Sequence, residues 1–323
     1  MATLVSLVLP SRPRHLTDTA SSDSKRRRRL NRRAAVRHAT PVRPVTRRQV
    51  LRTAVAAGAA GLGLGLYGWQ WEPHWLEFVH LDLPVRGLPA SLIGARLVQL
   101  SDIHVGPRVA DGYLTDVFRQ VTALAPDIVV YTGDLASYED DGFYDHVARM
   151  YAAPPRGRLA TVATLGNHEY GVNWSRPDIA DRLTAIAEAS GIRVLRNQVL
   201  DVAGLQIVGL DDLWAKRFDV ATALAACDPG RAALALSHNP DTVDLPGWTG
   251  FRGWILAGHT HGGQVRPPFL PPPIVPVQNR RYTAGAFDLP GDRTLYVSRG
   301  VGHLFQVRMN VRPEVTVFTL QRA

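Results

Sequence analysis

The stretch Gly258-His259-Thr260-His261-Gly262-Gly263-Gln264 sets two imidazoles two residues apart and follows them with paired glycines. In extended backbone that spacing turns both rings to one side, and the glycines let the chain bend where a side chain would clash. Two such histidines are either solvated surface residues or nitrogen ligands of a metal ion. What else the chain delivers to the same place decides between them. Asp102 and His104 stand in "SDIH", Asp134 in "TGD", Asn167, His168 and Glu169 in "GNHE", and His238 in "SHNPD". Singly, each has a plain structural role: Asp as a helix cap, Asn as a turn residue, His as a satisfied core group. Together they form a set of nitrogen and oxygen donors. Cys227 is the only cysteine, so an intrachain disulfide and a thiolate cluster are both excluded.

These residues fall at the ends of apolar runs. "RLVQLSDIH" (96–104) reads as a strand with a polar tip, and Tyr113, Leu114, Val117, Phe118, Val121 and Leu124 then recur at helical spacing. "PDIVVYTGD" (126–134) is a second buried strand, which makes a βαβ crossover and brings Asp102, His104 and Asp134 to one sheet edge. "LATVATLGNHE" (159–169), "LQIVGLDD" (205–212), "ALALSHNPD" (233–241) and "GWILAGHTHGG" (253–263) repeat the pattern, with a helix over 178–190. "TLYVSRGVG" and "PEVTVFTL" read as two late strands, antiparallel at an edge. Polar residues at the carboxyl ends of apolar strands are where α/β folds build ligand sites.

The ordered series Asp-x-His, Gly-Asp, Gly-Asn-His-Glu, His and Gly-His-Thr-His resembles the calcineurin-like metallophosphoesterase superfamily over roughly residues 92–323. The resemblance implies an α/β fold, a β-sandwich of mixed sheets flanked by helices, with the active site at the carboxyl ends of strands. It also implies two divalent metal ions, one on Asp102, His104 and His261 and the other on Asn167, His238 and His259, with Asp134 bridging them. Two such ions ~3.5–4 Å apart lower the pKa of a bridging water and clamp the attacked phosphoryl group. The mixed nitrogen and oxygen shell suits Mn, Fe or Zn better than Mg or Ca. His168 is expected to protonate the leaving group, and Glu169 to orient that imidazole, its structural alternative being a cap on the next segment. Arg299 or Arg266 either holds a substrate phosphate or makes surface salt bridges, and His303 is either a rim residue or, the preferred reading, a structural one. The segments "GGQVRPPFL" and "YTAGAFDLPGDRTLYVSRGVG" resemble a bacterial subgroup of exported phosphoesterases and relatives of UDP-2,3-diacylglucosamine hydrolases. The implied function is metal-dependent hydrolysis of phosphodiesters or phosphomonoesters; the alternative is a pyrophosphate hydrolase of the UDP-2,3-diacylglucosamine type.

The formal charge of +9 belongs to the tail: residues 1–52 hold 14 of the 37 basic residues against two acids, and the remainder carries 23 bases against 26 acids. A nucleic-acid-binding face on the folded part is therefore not expected, and no specific nucleic acid is a partner. Residues 1–45 read as a disordered basic tail. Residues 46–71 follow: Arg47-Arg48 precede the weakly apolar "TAVAAGAAGLGLGLYGWQW" and resemble a twin-arginine export signal or a retained membrane anchor. At ~1.5 Å per residue this run spans ~28 Å, about one hydrocarbon core. A linker and lead-in strand (72–91) then reaches the catalytic domain (92–323). The reading places the folded domain on the extracytoplasmic side of a bacterial membrane, retained or cleaved, with the twin-arginine machinery as partner and a phosphoester substrate, lipid-linked or from the cell envelope.

Overall fold

The computed structural model describes residues 45–138 and 142–323. The expected disordered tail thus lies, but for Val45, outside the described residues.

The first helix, α1 (Arg47–Leu66), starts with a reciprocal cap: the Gln49 amide N–H donates to Thr46 Oγ1 (3.3 Å) and Thr46 N–H to Gln49 Oε1 (2.9 Å). None of its side chains is buried. A wide turn (Tyr67–Trp71) and a tight one (Glu72–His74) extend it, giving a helical stretch Arg47–His74 long and apolar enough to cross a membrane.

Among the described residues, twelve strands form two six-stranded mixed sheets. The first, in order, is β1 (Glu77–Val85), β12 (Glu314–Arg322), β2 (Arg96–Leu100), β3 (Ile128–Thr132), β4 (Ala160–Thr164) and β5 (Arg193–Val194). The second is β10 (Gly285–Leu289), β11 (Arg293–Val297), β9 (Gly253–Ala257), β8 (Ala233–Leu236), β7 (Leu205–Gly209) and β6 (Gln198–Val202). Alternation along the strands sets the layers. Ile128 and Val130 of β3 point into the interface between the sheets with Ile207, Leu234 and Leu256, whereas Val129 and Tyr131 face the helices. Those helices are α2 (Asp111–Ala123), α3 (Phe143–Met150) and α4 (Pro177–Ala189); α5 (Val220–Ala225) covers the second sheet with Trp248 and Phe251. With both faces covered, the strands read as unbroken apolar runs.

β2, β3, β4 and β5 are parallel, as are β7, β8 and β9, so the polar tips that follow β2, β3, β4, β8 and β9 gather at one end of the sandwich. The two late strands depart from expectation. β11 lies parallel to β9 inside the second sheet, and β12 lies in the first, parallel to β1 over nine residues and antiparallel to β2. Neither is at an edge and they do not pair with each other. β12 buries Val315 and Val317 towards the helices and Phe318 and Leu320 between the sheets, which only an interior strand can do.

Candidate metal centre

Backbone pairing carries on past the strands and fixes the tips. The Asp102 amide donates to Gly133 O (3.1 Å) and the His104 amide to Asp134 O (2.9 Å), so the turns after β2 and β3 remain in register. Asp102, His104, Asp134, His259 and His261 all adopt positive φ, between 50° and 71°. Asp and His tolerate this conformation better than most residues, and five such residues in three turns mark a backbone held against its preference. Glycine is required where these side chains approach the chain: a Cβ at Gly258 would collide with Ser101 Oγ and the Asp102 carboxylate. One at Gly133 would lie 2.5 Å from His238 Nδ1.

The donors form two buried clusters, Asp102/His104/His261 and Asp134/His238/His259, each with its ligand atoms within 4.8 Å of one another. Asp134 Oδ2 faces both, 3.5 Å from His104 Nε2 and 3.1 Å from His238 Nε2. The outer nitrogens fix the tautomers. His238 Nδ1–H donates to Thr132 O (2.8 Å) and His259 Nε2–H to Pro276 O (2.8 Å). Their remaining nitrogens, His238 Nε2 and His259 Nδ1, then face each other as lone pairs at 3.2 Å. In the other cluster His104 Nδ1 meets the Ser137 hydroxyl (2.8 Å), and its Nε2 stands 3.1 Å from His261 Nε2. Asn167 Oδ1 is buried without a hydrogen-bond partner among the described residues. Lone pairs converging on lone pairs and a carboxylate repel unless a cation lies between them, so the residues fit a pair of divalent metal ions.

The protonation tendencies agree. Burial pushes the imidazoles of His104, His259 and His261 down, His259 to about 3, and so keeps them neutral as ligands must be. For His238, burial would lower the value, but the Asp134 charge prevails and raises it to about 10; reciprocally, His238 and His168 outweigh burial and hold Asp134 well below the usual carboxylate range. Burial, countered in part by His238, pushes Asp102 up to about 7.

His168 lies beside the clusters, its ring edge-on to His104 at 4.8 Å and its amide donating to Asp134 Oδ1 (3.0 Å). It completes a third group of donors with His104 and Asp134. The expectation for Glu169 needs correction. Its buried carboxylate accepts from the amides of Asp134 (3.0 Å), Ala136 (3.0 Å) and Gly166 (2.7 Å) and from no atom of His168. It braces the turns after β3 and β4 from beneath, because three inward-pointing N–H groups need an acceptor that no strand supplies. Arg299 is likewise taken, by Glu314 (2.5 Å) and Glu77 (2.9 Å), and is no phosphate clamp. His303 is fully buried and donates from Nε2 to Arg108 O (2.9 Å), which removes it from the rim.

Several contributors escaped the sequence reading. Arg308 is fully buried and donates to the carbonyls of Arg299, Gly300, Gly302 and Val311, clamping the turn whose Gly302 amide meets Asp102 O (2.7 Å). No motif announces it. Asp212, buried near His238 and raised by burial to about 6, sits in the acidic pair that ends "LQIVGLDD", a signal that was present. Trp214 sets its edge on the His259 ring at 4.3 Å and packs against Trp174 (4.4 Å), whose own φ of 54° is unusual for a bulky residue. These tryptophans wall a cavity of about 380 Å³ that also meets Lys216 and Gln278. A cavity of about 220 Å³ on the other side of Trp174 reaches His168 and Arg108. A cavity of about 610 Å³ around Cys227 shares no residue with these candidate clusters.

A two-sheet α/β sandwich with paired His/Asp clusters at its strand ends defines a phosphoester hydrolase of the dinuclear-metal class. Residues 95–263 match the calcineurin-like phosphoesterase family, and the chain belongs to it. It is 31% identical to the phosphodiesterase YaeI of Escherichia coli over 85% of this chain and 99% of that one. It is 32% identical to the metallophosphoesterase YkuE of Bacillus subtilis (87% and 99%). It is 29% identical to the UDP-2,3-diacylglucosamine pyrophosphatase LpxG of Chlamydia muridarum (77% and 92%).

Proposed function

We propose that this phosphoester hydrolase is a membrane-held phosphodiesterase built for two metal ions, of which Asp102, His104 and His261 would hold one and Asn167, His238 and His259 the other, with Asp134 available to both. The observation that carries this reading is Asp134 Oδ2, which faces an imidazole nitrogen of each cluster. When bound, the ions would supply Lewis acidity to the phosphoryl oxygens and a water nucleophile at neutral pH. The protein's own part is positioning and proton transfer. Asp134 keeps the two clusters at fixed separation, its turn braced by Glu169. Thr132 O and Pro276 O hold His238 and His259 in the tautomers that aim a lone pair inward. His168, half-buried and opening on the 220 Å³ cavity, donates a proton to the departing alkoxide. Mn, Fe or Zn suits the imidazole-rich shell.

The apolar stretch Arg47–His74 supports membrane attachment, and Arg47-Arg48 on its first turn supports export through the twin-arginine route, with the catalytic domain extracytoplasmic. A second reading, hydrolysis of the pyrophosphate bond of a lipid-linked nucleotide sugar, is favoured by Trp174 and Trp214 beside His259, two indole rings inclined at 41° to each other, either of which offers a face for a nucleobase to stack on. The test is hydrolysis by chelator-stripped full chain, reloaded with Mn, Fe, Zn, Mg or Ca, of an aryl phosphodiester, an aryl phosphomonoester and a nucleoside-diphosphate sugar. Metal-restored cleavage of the diester supports the first reading. Cleavage of the pyrophosphate alone transfers the assignment to the second, and silence on all three rejects both.

A further inference from the structure

The end of the sandwich that carries the candidate metal centre also carries large apolar side chains that no other described residue covers. Phe269 is wholly exposed, and Ile274, Phe305 and Trp71 are each at least 70% exposed, with Trp69 and Val307 beside them in the chain also open. They belong to three segments that hydrogen bonds tie into one surface. The Gln306 side chain donates to Trp69 O (3.1 Å) and the Arg308 amide to Gly68 O (2.8 Å), joining the segment after α1 to the 305–309 loop. Gln264 Nε2 donates to Phe305 O (2.8 Å) and Val307 O (2.9 Å), and the Arg266 amide to Met309 O (2.8 Å), joining that loop to residues 264–276. Large exposed apolar side chains on adjoining segments of this kind mark an interaction site.

We propose that this surface is a bilayer-docking face, so that the metal centre opens at the membrane surface and takes phosphoesters carried by lipids. Two observations select lipid as the occupant. The apolar helix enters the domain at this surface: the stretch Arg47–His74 ends in Trp69 and Trp71, an aromatic end of the kind that sits at the headgroup level. A Pro-rich segment, "PPFLPPPIVP", presents Phe269 and Ile274 outward with the exposed base Arg266 just before it, so that apolar tips stand beside a cation as in an interfacial anchor. The docking loop also touches the chemistry. Pro276 O accepts from His259 Nε2 (2.8 Å), and Gly263 packs where a Cβ would meet Pro272. A loop settled on lipid therefore holds a candidate ligand in place and sets the mouth of the site against headgroups. The substrate class rests on the phosphoesterase reading; the docking face does not.

The test uses the full chain in nanodiscs of phosphatidylcholine and phosphatidylglycerol, with Cys227→Ser and a nitroxide at Phe269→Cys, Phe305→Cys or, as control, Thr249→Cys, which precedes the amino end of β9 at the far end of the sheet. Collision with oxygen, which partitions into lipid, exceeding collision with a water-soluble nickel chelate at 269 and 305, and the reverse at 249, is the expected result. Equal, water-like profiles at all three positions overturn the docking face; shielding of 269 from both reagents reports a protein partner and also overturns it. A second measurement compares Phe269→Asp/Ile274→Asp with the parent on a lipid-borne and a soluble aryl phosphoester. The expected outcome is an at least tenfold fall in the ratio of lipid-borne to soluble turnover, and an unchanged ratio contradicts the proposal. A parent that hydrolyses neither ester defeats the catalytic reading and leaves the collision result to decide the face.

Discussion

Glu169→Gln separates bracing from catalysis. Glu169 Oε2 accepts from the amides of Asp134 and Gly166, and Oε1 from that of Ala136. Truncation to Ala strands three buried donors at about 1–3 kcal/mol each, roughly 3–9 kcal/mol against a typical total stability of about 5–15 kcal/mol, so that variant is expected not to fold. Gln retains one oxygen for two of the amides and turns its NH₂ on the third, a donor facing a donor. That costs about 1–3 kcal/mol. Part is offset, because burial, with the Asp134 charge adding to it, already pushes the Glu169 carboxyl up to about 8, and Gln removes the charge. A net loss of about 1–2 kcal/mol lowers Tm by about 2–8 °C for a domain of this size. The assay pairs calorimetry of the metal-loaded protein with the pH–rate profile on an aryl phosphodiester. The expected result is a lowered Tm with the shape of the profile unchanged. A profile displaced by a pH unit or more with Tm intact would refute the brace and restore Glu169 as a partner of His168.

Three further outcomes are expected. His168→Gln lowers kcat by about 10²–10⁴-fold with metal content unchanged, measured by steady-state kinetics and elemental analysis; loss of metal would instead make His168 a ligand. Gly258→Ala forces its Cβ onto the Asp102 carboxylate and reduces bound metal from two ions towards one, read by elemental analysis of the folded protein. Burial depresses His303 to about 4, so its neutral form stabilises the fold fully above the unfolded value near 6.5, and this contribution is lost as pH falls towards 4. His303→Gln, which keeps a donor for Arg108 O, should therefore flatten the acid limb of a urea-unfolding series by up to about 3 kcal/mol at pH 4 relative to the parent.

The parallel core of the fold and the gathering of Asp102, His104, Asp134, His238, His259 and His261 into candidate metal-holding groups were legible in the sequence for a common reason: each donor follows an apolar strand, and parallel strands bring such ends together. What escaped depends on contacts far apart in the chain. β12 reads as any apolar run, and only its nine-residue pairing with β1, more than 230 positions away, assigns it to the sheet interior. Glu169 sits next to His168 in sequence, yet the turn points its carboxylate into the protein, where the amides are. Arg308 has no local signature, since its partners are backbone carbonyls. The positive φ values at five donors are invisible to pattern reading, although the glycines around them hinted that the chain bends sharply there.

The central claim is that two ions bridged by Asp134 are necessary for hydrolysis. The measurement that tests it most directly is the count of bound metal per chain, with diester turnover on the same samples, for the parent and Asp134→Asn. The account expects two ions and turnover in the parent, and fewer than two with turnover lowered by at least 10³-fold in a folded variant. Turnover that persists in Asp134→Asn, or in the parent stripped of metal, would contradict it.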